Sequence, residues 1–298
     1  MNYLKTIVIL ILTIVVGACG GEKSKYYTPE KIVFASASTT DPEAFSKRMD
    51  LLTAYLTKCL EIPVEYIKVT DYTGVIEGMK YKKVDIGSTG SFAFCLAEKR
   101  TGAKALVATT LGNGEMRRYQ SLLLTHPGTD IDSVQQILDN PGKYSLAFTD
   151  PASTSGHLMP RKFLEEKGLI PESDFKEVLF SGSHTAAIYS LVSQKVDVTA
   201  SFQNALDRLE KKNKIQKNQY KVLWTSKPIP NSPIFTRSDL DPKIQQKIIT
   251  AYENMEKDAP EVYKLMLEVY QAKKIIYKEA DPKVWDEIRE IVAGLTTL

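Results

Sequence analysis

From Lys31 onward, short apolar runs alternate with amphipathic stretches of helical period. That alternation confines the chain to an α/β architecture, because each helix must carry the backbone back to a neighbouring strand. KIVFAS (31–36), PVEYIKV (63–69), VDIGS (84–88) and AKALVATTL (103–111) read as strands. Between them, DPEAFSKRMDLLTAYLTKCLE, with Pro42 in its first turn, DYTGVIEGMKYKK and GSFAFCLAEKR read as helices. The polar break GNGEMRR, whose glycines suit a hinge, leads into YQSLLLTH, a strand that crosses into a second unit. There YSLAFTD, FKEVLFSG, VDVTASF and YKVLWTS read as strands, and SGHLMPRKFLEEKG, SHTAAIYSLVSQK and NALDRLEKKNK as helices. After KPIPNSPIF the pattern is mostly amphipathic helix, whose Lys and Glu residues read as a solvated face.

The two units echo each other. EGMKYKKVDIGSTGSF and SLVSQKVDVTASFQNA each set a helix, a Lys-Val-Asp element and a short strand before the next helix. Both then present helix N-termini at the carboxyl ends of strands, where open α/β sheets bind ligands. Two such lobes face each other across a cleft: residues 31–118 with 231–298 in one, 119–230 in the other, closing by a hinge motion. A mature chain of about 280 residues is long enough for both.

Lys5 precedes an apolar run from Ile7 to Val16 and then small residues, the layout of a secretory signal peptide over residues 1–18. Val16-Gly17-Ala18-Cys19 resembles the bacterial lipobox, which makes Cys19 a lipidated N-terminus and 19–30 a polar tether to the envelope membrane. The net charge of +3 drops by one when Lys5 is removed, so no basic field points to nucleic acid. Beyond Cys19 only Cys59 and Cys95 remain; an exported location permits a disulfide, and two buried thiols are the alternative. There is no CxxC or Cys/His cluster, so neither a metal nor a cofactor is expected.

DPASTSGH (150–157) carries the chemistry. Three hydroxyl residues, Ser153, Thr154 and Ser155, stand ahead of a helix, where they can cap its first turn or hold an anion together with its free N–H groups and its dipole. A Ser–His hydrolase built from Ser153 or Ser155 with His157 or His184 is a rival, but G-x-S-x-G is absent and the chain has three histidines. His157 can face the ligand as a supporting charge or face solvent. Arg117 and Arg118 can steer anions inward or simply be exposed at the crossing.

Together, DYTGVIEGMKYKKVDIG, DPASTSG, GSHTAAIYSLVSQKVDV and NALDRL resemble the phosphate, phosphite and phosphonate binding proteins of ATP-binding-cassette (ABC) importers, collinearly from about Lys31 to Ile234. The resemblance implies the type II periplasmic-binding-protein fold, a monomer that serves a membrane permease, and no enzymatic activity. It implies that Ser153, Thr154 and Ser155 hold the phosphorus-bound oxygens, with His184, Tyr72 and Tyr119 as further contacts and Thr89 or Ser91 closing over the ligand. Relatives that take aminoalkylphosphonates have a glutamate where this chain has Gln203 and an aspartate where it has Ser232. A buried ammonium needs such partners, so their absence points to a small anion without a cationic tail: phosphite, phosphate or an alkylphosphonate. Two alternatives stay open, a partnership with a membrane sensor in place of a permease and another tetrahedral oxyanion such as arsenate.

Overall fold

The computed structural model describes residues 26–37 and 42–294; the expected signal peptide, residues 1–18, and Cys19 lie outside them. The chain runs β1 (Ile32–Ala37), α1 (Pro42–Leu60), β2 (Val64–Val69), α2 (Tyr72–Lys80), β3 (Ile86–Ser88), α3 (Ser91–Thr101) and β4 (Lys104–Thr110). It continues through β5 (Arg118–Tyr119), β6 (Ser121–Thr125), α4 (Val134–Leu138), β7 (Ser145–Phe148), α5 (Met159–Glu166), α6 (Pro171–Asp174), β8 (Glu177–Phe180), α7 (His184–Val192), β9 (Val198–Phe202) and α8 (Gln203–Lys211). It ends with β10 (Lys221–Thr225), β11 (Ile229–Pro230), β12 (Ile234–Thr236), α9 (Pro242–Asp258), α10 (Pro260–Tyr270), β13 (Ile276–Glu279) and α11 (Asp286–Gly294).

These strands form a six-stranded sheet in the order β13-β4-β12-β3-β1-β2 and a five-stranded sheet in the order β10-β6-β9-β7-β8. Each is filled on both faces. On the first sheet, Ile32 and Phe34 pack with α1, α9 and α10, whereas Ala35 packs with α2, α3 and α11. On the second, Leu123 faces α4 and α5, and Leu122 and Leu124 face α7 and α8, the alternation a pleated strand imposes. The chain passes between the sheets beside a two-stranded antiparallel ribbon, β5 with β11.

The internal echo has a shared physical device. Asp85, in the first Lys-Val-Asp, accepts a hydrogen bond from the Val33 N–H of β1 at 2.8 Å; Asp197, in the second, accepts one from the Ser145 N–H of β7 at 2.8 Å. In each sheet an aspartate just ahead of one parallel strand thus holds the start of its neighbour, β3 beside β1 and β9 beside β7. Asp85 is buried and paired with Arg237 at 3.1 Å, so burial raises its pKa while that guanidinium and the Val33 N–H hold it down.

Several expectations are corrected. Within the C-terminal segment, read as mostly helix, two unread strands, β12 and β13, complete the first sheet on either side of β4. All three residues of β12 are buried and show no alternation, and β13 hides in the Lys-rich AKKIIYKEA, so neither carries a strand period. Within the stretch 19–30 read as a tether, the Tyr27 N–H donates to the Asp239 carbonyl at 2.7 Å and its ring lies under Arg237. The helix after STSG opens with a π-helical turn, Thr154–Leu158, before α5. That turn explains Pro160: its missing N–H would have sought the Gly156 carbonyl, which already accepts from the Thr149 N–H at 3.0 Å. Cys59 and Cys95 are free thiols packed against different cores, and burial pushes Cys95 up to about 12.

Candidate anion-binding site

Between the two sheets lies a cavity of ≈ 250 Å³ lined from both lobes. At one end are Tyr72, Thr89, Gly90, Tyr119, Ser153, Thr154, Ser155 and His184, with Ser232 further along the wall. The structure therefore brings together eight of the ten residues singled out as ligand contacts. Ser153 caps the π turn, its hydroxyl accepting from the Gly156 N–H at 3.0 Å. First-turn N–H groups have no intrahelical acceptor, and Ser153, Thr154 and Ser155 of this turn line the cavity. Gly156 is required by space, since a Cβ there would fall 1.8 Å from Thr149 Oγ1. The Tyr119 phenol lies near the hydroxyls of Thr154 and Ser155, which oppose the upward push of burial on its pKa.

His184 stands at the first position of α7 behind the Ser183 cap. Its Nδ1 lies 3.1 Å from Ser201 Oγ and its Nε2 3.5 Å from Ser153 Oγ. Burial, aided by the charge of Arg208, pushes its pKa down to about 3, so at neutral pH it is an uncharged imidazole. Among the described residues no carboxylate orients it, and the hydroxyl at Nδ1 does not make Ser153–His184 a nucleophile–base pair of the hydrolase kind.

The lobes are bonded to each other around this end. The Phe92 N–H donates to Thr154 Oγ1 at 2.9 Å and the Tyr72 N–H to Asp150 Oδ2 at 3.1 Å, so helices of the first lobe begin on side chains of the second. Gly90 lets them meet, since a Cβ there would stand 2.9 Å from Thr154 Oγ1.

Two expected contacts do not line the cavity. Ser91 is fully buried but gives its hydroxyl to the Pro230 carbonyl at 2.7 Å. Gln203 is exposed and donates to Asp207 at 2.6 Å, while the next residue, Asn204, lines the wall. A single step at a helix start swings the side chain by roughly 100°. His157 also stands outside. Nδ1 bonds the Pro151 carbonyl at 2.7 Å, Nε2 accepts from Arg161 at 2.8 Å, and burial pushes its pKa down to about 4, so it braces the loop from behind as a neutral ring.

Sequence reasoning missed the far end, formed by Arg48 and Phe45 of α1, Arg208 of α8, Met266, Val269 and Tyr270 of α10, and Tyr252 and Tyr277. Arg117 and Arg118, read as either steering anions inward or simply exposed, line the cavity as well. Ser232 is there, and none of the described lining residues is Asp or Glu. Among the described residues no group of three or more His, Cys, Asp or Glu is placed to hold a metal ion.

Residues 34–285 match the family described as the periplasmic substrate-binding protein of the phosphonate ABC transporter. The chain is 30% identical over 206 residues to the phosphonates-binding periplasmic protein of Escherichia coli, covering 69% of this chain and 60% of that protein. It is 28% identical to the phosphate-import protein PhnD of Mycolicibacterium smegmatis, over 81% and 78% of the two chains. A crystal structure of a binding protein component of the ABC phosphonate transporter of Pseudomonas aeruginosa superposes with a TM-score of 0.78 at 26% identity, covering 90% of each chain. With two α/β lobes around a cleft, and a family of extracytoplasmic solute-binding proteins rather than enzymes, the chain belongs to the phosphonate substrate-binding proteins of ABC importers.

Proposed function

We propose that this protein captures a phosphorus oxyanion group, that of phosphate, phosphite or an alkylphosphonate, outside the cytoplasm and delivers it to the permease of an ABC importer, tethered as a monomer by a lipid on Cys19. The lobes are residues 31–118 with 231–298, and 119–230. The observation that carries the reading is the Ser153-Thr154-Ser155 turn, closed over by the first lobe, with Tyr119 and the neutral His184 at hand. Neutral hydroxyls and N–H groups fixed in a dry site bind an oxyanion through dipoles that need no reorganisation. Tyr72 and Thr89 close the remaining side, and Ser232 lies along the wall.

Calorimetric titration with phosphate, phosphite, methylphosphonate, 2-aminoethylphosphonate and sulfate tests it. At least one of the first three binds, and Tyr119→Phe with Ser155→Ala weakens it by at least about tenfold, the worth of one or two charge-assisted bonds. Binding of none of the phosphorus compounds, or equal binding of sulfate, would defeat the proposal. Metabolic labelling with a fatty acid, lost in Cys19→Ala, tests the anchor.

A further inference from the structure

The arginine end of the cavity holds more positive charge than the oxyanion end can use. Arg48, Arg117 and Arg208 line the cavity, and no ion pair joins any of them to a carboxylate among the described residues, although Glu268 is near enough to act on Arg48 and Asp207 on Arg208. Each is held instead by backbone or by a ring. Arg208 donates to the Val269 carbonyl at 3.3 Å and Arg117 to the Tyr270 carbonyl at 3.3 Å, both at the C-terminus of α10, where carbonyls have no intrahelical donor. The guanidinium carbons lie 4.9 Å from the Phe45 centroid for Arg48, 5.3 Å from Phe202 for Arg208 and 5.9 Å from Tyr270 for Arg117. These contacts leave donors over: Nε of Arg117 and Nε of Arg208 are buried without a partner. A guanidinium has five N–H groups, and leaving them unpaired in a dry wall is costly.

The two ends are continuous. Phe202 meets His184 edge-on at 4.6 Å and Tyr119 at 5.7 Å, and Arg208 lies over that same ring. Arg208 therefore stands one ring away from the Ser153 hydroxyl's neighbour, with Arg48 near enough that the two guanidinium charges oppose each other. A cavity of ≈ 250 Å³ is several times the ~30 Å³ that a water molecule occupies in the liquid, so it has room for a ligand larger than a lone phosphite.

Building on the oxyanion reading above, we infer that the preferred ligand has two anionic ends, a phosphonate or phosphate group on the Ser153–Ser155 turn and a carboxylate or second phosphoryl group against Arg48, Arg117 and Arg208, joined by a short linker. The neutral end recognises the phosphorus group by shape and hydrogen bonds. The arginine end supplies the charge, and its planar forks match a carboxylate or phosphoryl group. A ligand with an ammonium tail is rejected by repulsion there.

The test is calorimetry on the full chain in detergent, freed of carried-over ligand, with 3-phosphonopropionate, its uncharged amide of the same length, methylphosphonate and propane-1,3-bisphosphonate. The acid or the bisphosphonate binds at least about tenfold more tightly than the amide and than methylphosphonate. Arg48→Met removes that advantage while methylphosphonate affinity stays within about threefold; Arg117→Gln does the same and serves if the first variant does not fold. If methylphosphonate or the amide binds as tightly as both dianionic ligands, or if both variants weaken all ligands equally, the second anion site is wrong and the oxyanion reading stands. If no phosphorus compound binds, both fall together.

Discussion

At the scale of single residues, Gly156 and two of the three buried histidines, His157 and His184, make the sharpest statements. Alanine at 156 puts a methyl group into Thr149, and overpacking of this kind costs about 1–3 kcal/mol. Gly156→Ala should lower the denaturant midpoint, and adding Thr149→Ala should restore part of it; an unchanged midpoint would show that the turn relaxes freely. His157 and His184 are held neutral, with pKa values pushed by burial to about 4 and about 3, against 6.5 for the free side chain. Below pH 6.5 the unfolded chain takes up protons that the folded chain refuses. Stability is therefore full above 6.5 and falls as pH drops towards 4, by at most about 1.4 kcal/mol per pH unit for each ring. Denaturation curves at pH 7, 6 and 5 should show the fall, and His157→Gln should flatten it. The sequence disclosed the hydroxyl turn because three such residues before a helix have a direct physical meaning. It did not disclose Arg48 or Arg208, since a charged side chain facing the other lobe has the same helical spacing as one facing water.

Among the elements, the helix ends do the joining. The N-termini of α2 and α3 receive Asp150 and Thr154 from the opposite lobe, and the C-terminus of α10 receives Arg117, Arg208 and the amide of Asn204. Apart from Arg117, which belongs to the same lobe as α10, these are orphan backbone groups of one lobe satisfied by side chains of the other. Thr154→Val keeps the shape but leaves the Phe92 N–H without its acceptor. It should shift the solution ensemble towards open forms, seen as a larger radius of gyration in X-ray scattering at saturating ligand; an unchanged radius would mean that the bond does not hold the lobes together. Helices and the longer strands were legible from their period. The two-residue ribbon strands, β12 and the π turn were not, because pieces this short have no period and owe their form to what they pack against.

For the whole molecule, two lobes and an anion cleft followed from βα alternation, the Lys-Val-Asp echo and the hydroxyl turn. The aspartate clamp shows why the echo was informative, since the same residue does the same work in both sheets. The reach of the cavity was hidden, because it depends on α1, α9 and α10 coming to the cleft from distant parts of the chain. The bonds across the cleft also govern time. Thr154, Asp150 and Arg208 bond the halves across the cleft, so escape of a ligand bound there would wait for them to break. The dwell time of any occupant then has a floor set by how often the halves part, whatever grips it inside, and a weak ligand and a strong one differ chiefly in how many partings each survives. A transporter that pulls the halves apart would release both at once.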